Sequence, residues 1–196
     1  MSDSPRFPAE WESQSAILMA WPHAGTDWAV RLESTRLCFA GIATAISRHQ
    51  TLLLLVSDAA VEADARTALV QSNADLERVR FITLPYNDTW LRDSGPISLR
   101  NADGFELLDF HFTAWGGKFE AGLDDRIVSE MDAQGLFRNA EHKRIDFALE
   151  GGGIETDGAG TLLSTWHCLH ERHPDASRQA IEAQLKTSLQ QERILW

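Results

Sequence analysis

A loop at residues 87–96 (NDTWLRDSGP) places carboxylates beside an aromatic ring. A guanidinium group presents a planar fork of N–H donors that one carboxylate accepts in a bidentate manner, and the group also stacks on indole. Trp90 and Asp93 are therefore candidates for binding a planar cation. The alternative, favoured by spacing alone, is that Arg92 and Asp93 pair with each other in an ordinary turn.

A second candidate is the acid that opens residues 150–153 (EGGG). Three consecutive glycines indicate a backbone that bends or approaches another group closely. A carboxylate there could orient a catalytic histidine. The run does not predict a phosphate loop, because no Gly-Lys-Ser/Thr sequence follows it. Taken alone, the segment is more typical of a hairpin entrance with a solvated Glu150.

A third segment, residues 109–119 (DFHFTAWGGKF), alternates polar and aromatic side chains. A strand would place Asp109, His111 and Thr113 on one face, where they line a cleft, and the phenylalanines between them in the core. Trp115, beside two glycines, could form a lid or a stacking wall. A hairpin edge with ordinary surface polarity explains the pattern nearly as well.

The run at residues 167–173 (HCLHERH) has the residue types of a zinc site. Its histidines are spaced i, i+3 and i+6, so they do not face one point on a regular helix, and we expect no metal. Only two cysteines occur, too few for a disulfide framework. We expect Cys38 to be a buried, inert thiol within a helix and Cys168 to be no nucleophile.

Composition limits the partners of the chain. The 196 residues include 29 acidic and 18 basic side chains, for a formal charge of −11, which repels phosphate backbones and argues against a nucleic-acid partner. No stretch reaches the roughly 18 apolar residues of a membrane span, and no signal peptide is recognisable. We expect one domain in a soluble, cytoplasmic protein, with no linker inside it.

Strands alternate with helices along the chain, which predicts an α/β fold. A helix at 28–48 should bury Leu32, Phe39, Ile42 and Ile46, and Ser57 or Asp58 should cap the next helix. Strands at 97–100 and 105–112 should pair as one hairpin, and strands at 145–149 and 161–165 should flank another, whose turn is at 157–160. The other predicted strands are 16–21, 51–56 and 79–84, and the other helices are 58–70, 124–134 and 175–190.

The last residues, 193–196 (RILW), begin an apolar strand that no turn or polar tail closes. Domains seldom stop at such a point, so we expect the fold to continue beyond it. The alternative is an edge strand at a true C-terminus.

Several short segments of the chain occur in a characteristic order: 8–12 (PAEWE), 19–23 (MAWPH), 27–28 (DW), 89–96 (TWLRDSGP), 114–117 (AWGG) and 149–154 (LEGGGI). Taken together, they resemble the agmatine deiminase and bacterial-type peptidyl-arginine deiminase family over essentially the whole chain. Small departures, such as Asn87 in place of a common acid, Thr113 in place of Asn, and Trp166-His167 in place of an acidic pair, bear on substrate preference.

The resemblance implies a pentein fold, a pseudo-fivefold α/β propeller with a central active site. It also implies a reaction in which a Cys thiolate attacks the guanidinium carbon, with a His as general acid and base, and no cofactor is expected. By motif, Asp93 would bind the guanidinium, Trp90 and Trp115 would form its pocket, and Glu150 would orient the catalytic His. The expected partner is a small cationic guanidino substrate, and a homo-oligomer is possible.

In the family, the His-x-Asp segment and the nucleophilic Cys lie C-terminal to the strand that begins at Ile194. We therefore expect residues 1–196 to be the N-terminal portion of a single deiminase domain, with an incomplete propeller and no activity alone. Agmatine is the expected substrate, on a route to putrescine, because residues 101–125 contain no Arg fork for an α-carboxylate. The alternatives are a peptidyl-arginine deiminase and a non-catalytic or amidinotransferase-like guanidino-binding protein of the same superfold.

Overall fold

The computed structural model describes residues 5–102, 104–137 and 140–196. They form two compact units. The parallel unit comprises Ser13–Leu91 and Gly122–Asp124, and the mixed unit comprises residues 5–12, Arg92–Ala121 and Asp125–Trp196. The expectation that residues 1–196 belong to one deiminase domain stays a prediction.

The parallel unit is built on three parallel strands in the order β1 (Ala16–Ala20), β2 (Thr51–Val56) and β3 (Val79–Thr83). All three strands confirm the prediction. The middle strand, TLLLLV, is apolar at nearly every position because helices can cover both faces of a parallel sheet. Leu52 and Leu54 pack in one core with the buried Trp21 and Val79.

Two helices connect these strands: α1 (Leu32–Ser47), which follows a 3-10 turn at Ala29–Arg31, and α2 (Ala59–Gln71). Asp58 caps α2 as predicted, since its carboxylate accepts hydrogen bonds from the amides of Ala60 and Val61 at 2.8 and 2.9 Å.

The predicted buried face of α1 is wrong in part. Ile42 is 44% exposed, whereas the small residues Ala40, Ala43 and Thr44 are buried, and Thr44 lies 2.8 Å from the Ser72 hydroxyl. Small side chains let a helix approach its neighbours closely, so the largest residues did not mark the inner face. Cys38 is also exposed, which contradicts the expected buried thiol.

The mixed unit holds two sheets of three strands. In the first, β4 (Ile97–Arg100) and β5 (Phe105–His111) form the predicted antiparallel hairpin, and β6 (Ala140–Ala148) runs parallel to β5. The predicted turn at 101–104 includes residue 103, which lies outside the described residues. The elements in chain order are α3 (Leu91–Ser94, with Leu91 in the parallel unit), β4 (Ile97–Arg100), β5 (Phe105–His111), α4 (Ala114–Gly117), α5 (Ile127–Ala133) and β6 (Ala140–Ala148).

The second sheet orders its strands as β7 (Ile154–Thr156), β8 (Thr161–Ser164) and β9 (Arg193–Leu195). β8 pairs antiparallel with β7 and parallel with β9. The predicted pairing of 145–149 with 161–165 is therefore wrong: a 3-10 turn at Gly151–Gly153 separates β6 from β7, and β7 is the strand that pairs with β8. The predicted turn at 157–160 is confirmed, because it connects β7 to β8.

Two helices complete the mixed unit, α6 (Trp166–Arg172) and α7 (Arg178–Leu189). Buried leucines and isoleucines of both sheets and of these helices form a common core, in which Leu99, Leu162, Ile181 and Leu185 are almost fully buried. Among the residues that the structure describes, no helix is both long enough and apolar enough to cross a bilayer.

Candidate functional site

Asp93 lies on the one-turn helix α3, immediately before the hairpin β4–β5. Its two oxygens have separate donors: the indole Nε1 of Trp115 donates to Oδ2 at 3.1 Å, and the amide of Gly152 donates to Oδ1 at 3.0 Å. Donors of this kind fix a carboxylate in one orientation. Three segments that are distant in sequence therefore meet at Asp93.

Arg92 does not pair with Asp93 as the simple turn would require. Its guanidinium contacts Glu10 at 2.5 Å and Glu155 at 3.4 Å. Asp93 is therefore held by an amide and an indole, whereas Arg92 forms ion pairs with Glu10 and Glu155.

The glycines that follow Glu150 permit the close approach that the sequence predicts. A Cβ on Gly152 would lie 2.2 Å from Oδ1 of Asp93, and a Cβ on Gly151 would lie 2.3 Å from the carbonyl oxygen of Arg92. Real Cβ atoms essentially never lie so close to other heavy atoms. At Gly153, by contrast, an added Cβ would meet nothing within 4 Å. Only the first two glycines are required by packing.

Glu150 is buried, so the expectation of a solvated carboxylate at a hairpin entrance is wrong. Nε of Arg172 donates to its Oε1 at 2.8 Å, and the two side chains are 5% (Arg172) and 7% (Glu150) exposed. Burial lowers the pKa of Arg172, but the hydrogen bond and the charge of Glu150 raise it, and the net shift is upward. Arg172 was not predicted as a site residue, because nothing in its local sequence indicates a pairing with Glu150.

Trp115 lies on the irregular turn α4, where both Trp115 and Gly116 have positive φ values of 59° and 87°. The hydroxyl of Thr113 accepts the Gly116 amide at 3.1 Å and so caps this turn. The ring packs edge-on against Phe112 and Phe119 at centroid distances of 5.4 and 5.8 Å. The indole is thereby aimed at Asp93.

The other members of the predicted polar trio lie in an ion-pair network. Asp109 is buried and contacts Arg144 at 2.7 Å, His142 at 2.9 Å and Ser129 at 3.0 Å. Nη2 of Arg144 also lies 2.7 Å from Nδ1 of His111. These contacts join β5 to β6 and α5. Asp109 is therefore buried between these elements and does not line the expected cleft.

Trp90 belongs to the parallel unit, whereas Asp93, Trp115 and Glu150 belong to the mixed unit. Trp90 is 41% exposed, and within its own unit it lies beside Trp28, with a centroid distance of 5.7 Å. The indole of Trp28 donates to the Thr89 hydroxyl at 2.8 Å. Trp28 is thus fixed by the loop that carries Trp90, and the two rings lie side by side.

A buried carboxylate, Asp124, anchors the same loop and was not predicted. It accepts the amide of Asn87 at 2.6 Å, and the side-chain oxygen of Asn87 accepts the amide of Leu123 at 2.8 Å. Burial raises the pKa of Asp124 to about 6, opposed by the amides of Asn87 and Asp88. The position of Asn87 is therefore explained by this reciprocal clamp.

The cluster at 167–173 does not assemble as a metal site. His170 stacks on Trp166 at 4.8 Å, and Nε2 of His173 lies 2.9 Å from the carbonyl oxygen of Ala148. Within residues 5–102, 104–137 and 140–196, no group of three or more His, Cys, Asp or Glu side chains is placed to hold a metal ion.

Fold and site together define a mixed α/β protein that presents a carboxylate fixed by amide and indole donors. The chain belongs to the Porphyromonas-type peptidyl-arginine deiminase family, whose sequence profile matches residues 6–196. It is 37% identical over 200 residues to agmatine deiminase of Pseudomonas fluorescens and 35% identical over 204 residues to that of Pseudomonas aeruginosa. These alignments cover 97% and 100% of this chain, but 52% and 53% of the relatives.

Solved structures of agmatine deiminases also match almost the whole of this chain and little more than half of their own length. A C. jejuni agmatine deiminase variant with substrate bound is 29% identical, with a TM-score of 0.87, over 98% of this chain and 56% of its own. The agmatine deiminase of Enterococcus faecalis is 30% identical, with a TM-score of 0.83, over 99% of this chain and 53% of its own. The chain thus spans about half the length of the relatives it matches.

Proposed function

We propose that this chain supplies the guanidinium-binding part of an agmatine deiminase. The observation that carries the proposal is the anchoring of Asp93 by the Gly152 amide and the Trp115 indole. Each donor takes one lone pair, so the carboxylate keeps acceptor positions for the N–H groups of a guanidinium. Relatives named agmatine deiminase align over almost the whole chain and support the same substrate.

The proposed reaction converts agmatine and water to N-carbamoylputrescine and ammonia. A Cys thiolate attacks the guanidinium carbon to form a C–S bond, and one nitrogen leaves as ammonia after accepting a proton. Water then attacks the same carbon, and the C–S bond breaks to return the thiolate and leave a ureido group. Because a delocalised cation is a poor electrophile, carboxylates must first fix its plane and its charge.

In this reaction Asp93 binds the guanidinium, and Trp115 forms one wall of its pocket. Glu150 orients the histidine that transfers protons. All three residues act by binding or orientation, and none of them is the nucleophile. Fixing a substrate in this way contributes several kcal/mol to catalysis in well-ordered sites.

We further propose that the chain forms part of a pseudo-fivefold propeller. Both sheets of the mixed unit combine an antiparallel hairpin with a third strand that is parallel to the middle one. This repetition of one strand order supports a fold built from structural repeats. The likeness to solved agmatine deiminases supports it as well.

A peptidyl-arginine deiminase is the second candidate, favoured by the description of the family that matches the chain. Recognition of an α-carboxylate or of a peptide backbone would need additional donors. Three arginines of the mixed unit, Arg92, Arg144 and Arg172, are already paired with carboxylates. These pairings favour agmatine, which has no carboxylate.

Calorimetric titration of the purified chain with agmatine tests the proposal. We expect saturable binding that weakens at least tenfold in Asp93→Asn, because the neutral amide loses the charge-assisted contact. Glu141→Gln, an exposed acid of the same unit, is the matched control and should bind normally. Equal agmatine affinity in wild type and Asp93→Asn would contradict the proposed anchor.

A further inference from the structure

Arg172 contacts both segments whose donors hold Asp93, the segment that begins at Glu150 and the Trp115–Gly116 turn. Its Nε donates to Glu150 at 2.8 Å, two residues before the Gly152 amide that Asp93 accepts. Its guanidinium also packs under Gly116: a Cβ on that glycine would lie 3.3 Å from Nη1 and 3.7 Å from Cδ. Gly116 follows Trp115, whose indole is the second donor to Asp93.

Arg172 and Glu150 are both buried, so the charge of each depends on the other for compensation. A carboxylate removed from water needs a compensating charge or hydrogen bond. Among the described residues, the structure gives Glu150 a single hydrogen-bond donor, Nε of Arg172, on Oε1. That contact sets the orientation of the carboxylate and leaves Oε2 as its available acceptor.

The remaining contacts of Arg172 argue against a role in stability alone. Its Nη1 is buried and has no hydrogen-bond partner among the described groups, although a carboxylate oxygen of Glu171 lies 3.3 Å away. Buried donors in folded proteins are usually satisfied, and an unsatisfied one is unfavourable. The position of the side chain is better explained by what it holds, Glu150 on one side and Gly116 on the other.

We propose that Arg172 is a positioning residue, which fixes Glu150 through Oε1 and supports the Trp115–Gly116 turn so that both donors stay aimed at Asp93. The proposal rests on the proposed function for the chemical use of Glu150 and Asp93. It concerns local geometry, however, so it can be tested in the 196-residue chain without any assay of turnover.

Hydrogen exchange of the Trp115 indole N–H and the Gly152 amide measures this geometry directly. In Arg172→Met, we expect the protection of these two protons to fall at least tenfold more than that of amides in the β4–β5 hairpin. General destabilisation would lower all of them in parallel, because exchange through global unfolding does not distinguish sites. A selective loss is therefore the signature of positioning.

Arg193→Met is the matched control, since it removes another arginine of the same unit, whose Nη2 donates to the Thr161 hydroxyl at 3.1 Å, away from the β4–β5 hairpin. It should leave the ratio of site protection to hairpin protection unchanged. If Arg172→Met does not fold, Arg172→Lys is measured in its place, because it keeps the charge and removes the planar Nε donor. Here too we expect the selective loss.

Parallel loss at all sites, or unchanged protection of both site protons, would overturn the role of Arg172. Agmatine titration of the same samples reports separately on the proposed function. Absence of agmatine binding in the wild type, together with selective loss of protection in the variant, would reject the substrate and keep the positioning role. Normal binding of agmatine by the wild type, together with parallel loss of protection at all sites in the variant, would keep the substrate and reject the positioning role.

Discussion

The amide of Gly152 lies 3.0 Å from Oδ1 of Asp93, and a Cβ on the same glycine would lie 2.2 Å from that oxygen. The hydrogen bond and the need for glycine are therefore one geometric fact: the backbone donates to the carboxylate from a distance at which no side chain fits. Gly153 is adjacent in sequence but has open space around it. The two positions form a natural comparison.

Gly152→Ala should displace Asp93 and weaken agmatine binding at least tenfold, because the methyl group and the carboxylate oxygen cannot occupy the same space. Gly153→Ala should bind agmatine with wild-type affinity. Calorimetry on the two variants measures the difference. Equal affinity for both would show that Asp93 does not bind the ligand from its present position.

Agmatine should bind at least tenfold more tightly than L-arginine. An α-carboxylate placed without a guanidinium or ammonium partner is unfavourable, and Arg92, Arg144 and Arg172 already pair with acids. Titration with agmatine, L-arginine and a blocked arginyl peptide checks this order. Tighter binding of the peptide would favour the peptidyl-arginine candidate.

The buried carboxylate of Asp124 predicts a pH dependence of stability. Burial raises its pKa from 3.8 to about 6 in the folded state. Because the pKa of Asp124 is higher in the folded than in the unfolded state, folding is favoured while this carboxyl group is protonated. The stability that it contributes is fully present below pH 3.8 and is lost as the pH rises through about 6.

Asp124→Asn removes this titration and keeps an oxygen that can accept the Asn87 amide. Relative to wild type, its free energy of unfolding should therefore increase between pH 4 and pH 7, by at most roughly 3 kcal/mol. Urea unfolding at several pH values measures the difference. Glu33→Gln, an exposed acid of the same unit, should show no such trend, and a flat difference for Asp124→Asn would refute the assignment.

The 196-residue chain should release no ammonia from agmatine through Cys168. A thiol nucleophile needs an adjacent base, but His170 stacks on Trp166 and His173 is engaged by the Ala148 carbonyl. Incubation of the wild type and Cys168→Ser with agmatine, followed by an ammonia assay, tests this. Ammonia release that the substitution abolishes would make Cys168 the nucleophile.

The sequence by itself determined the α/β class, most element positions and the family. Strands such as 51–56 are apolar throughout, and Asp58 precedes an alanine-rich helix, so short-range patterns carry this information. The glycines after Glu150 were also recognisable, because close backbone approach requires glycine.

Only the tertiary structure decided which residues meet. Strand pairing depends on contacts between distant segments, so the partner of β8 could not be read from the pattern of 145–149. The burial of Glu150 likewise depends on Arg172, 22 residues away on α6. A charged residue that pairs inside a fold has the same local sequence signature as one in water, and only packing distinguishes the two.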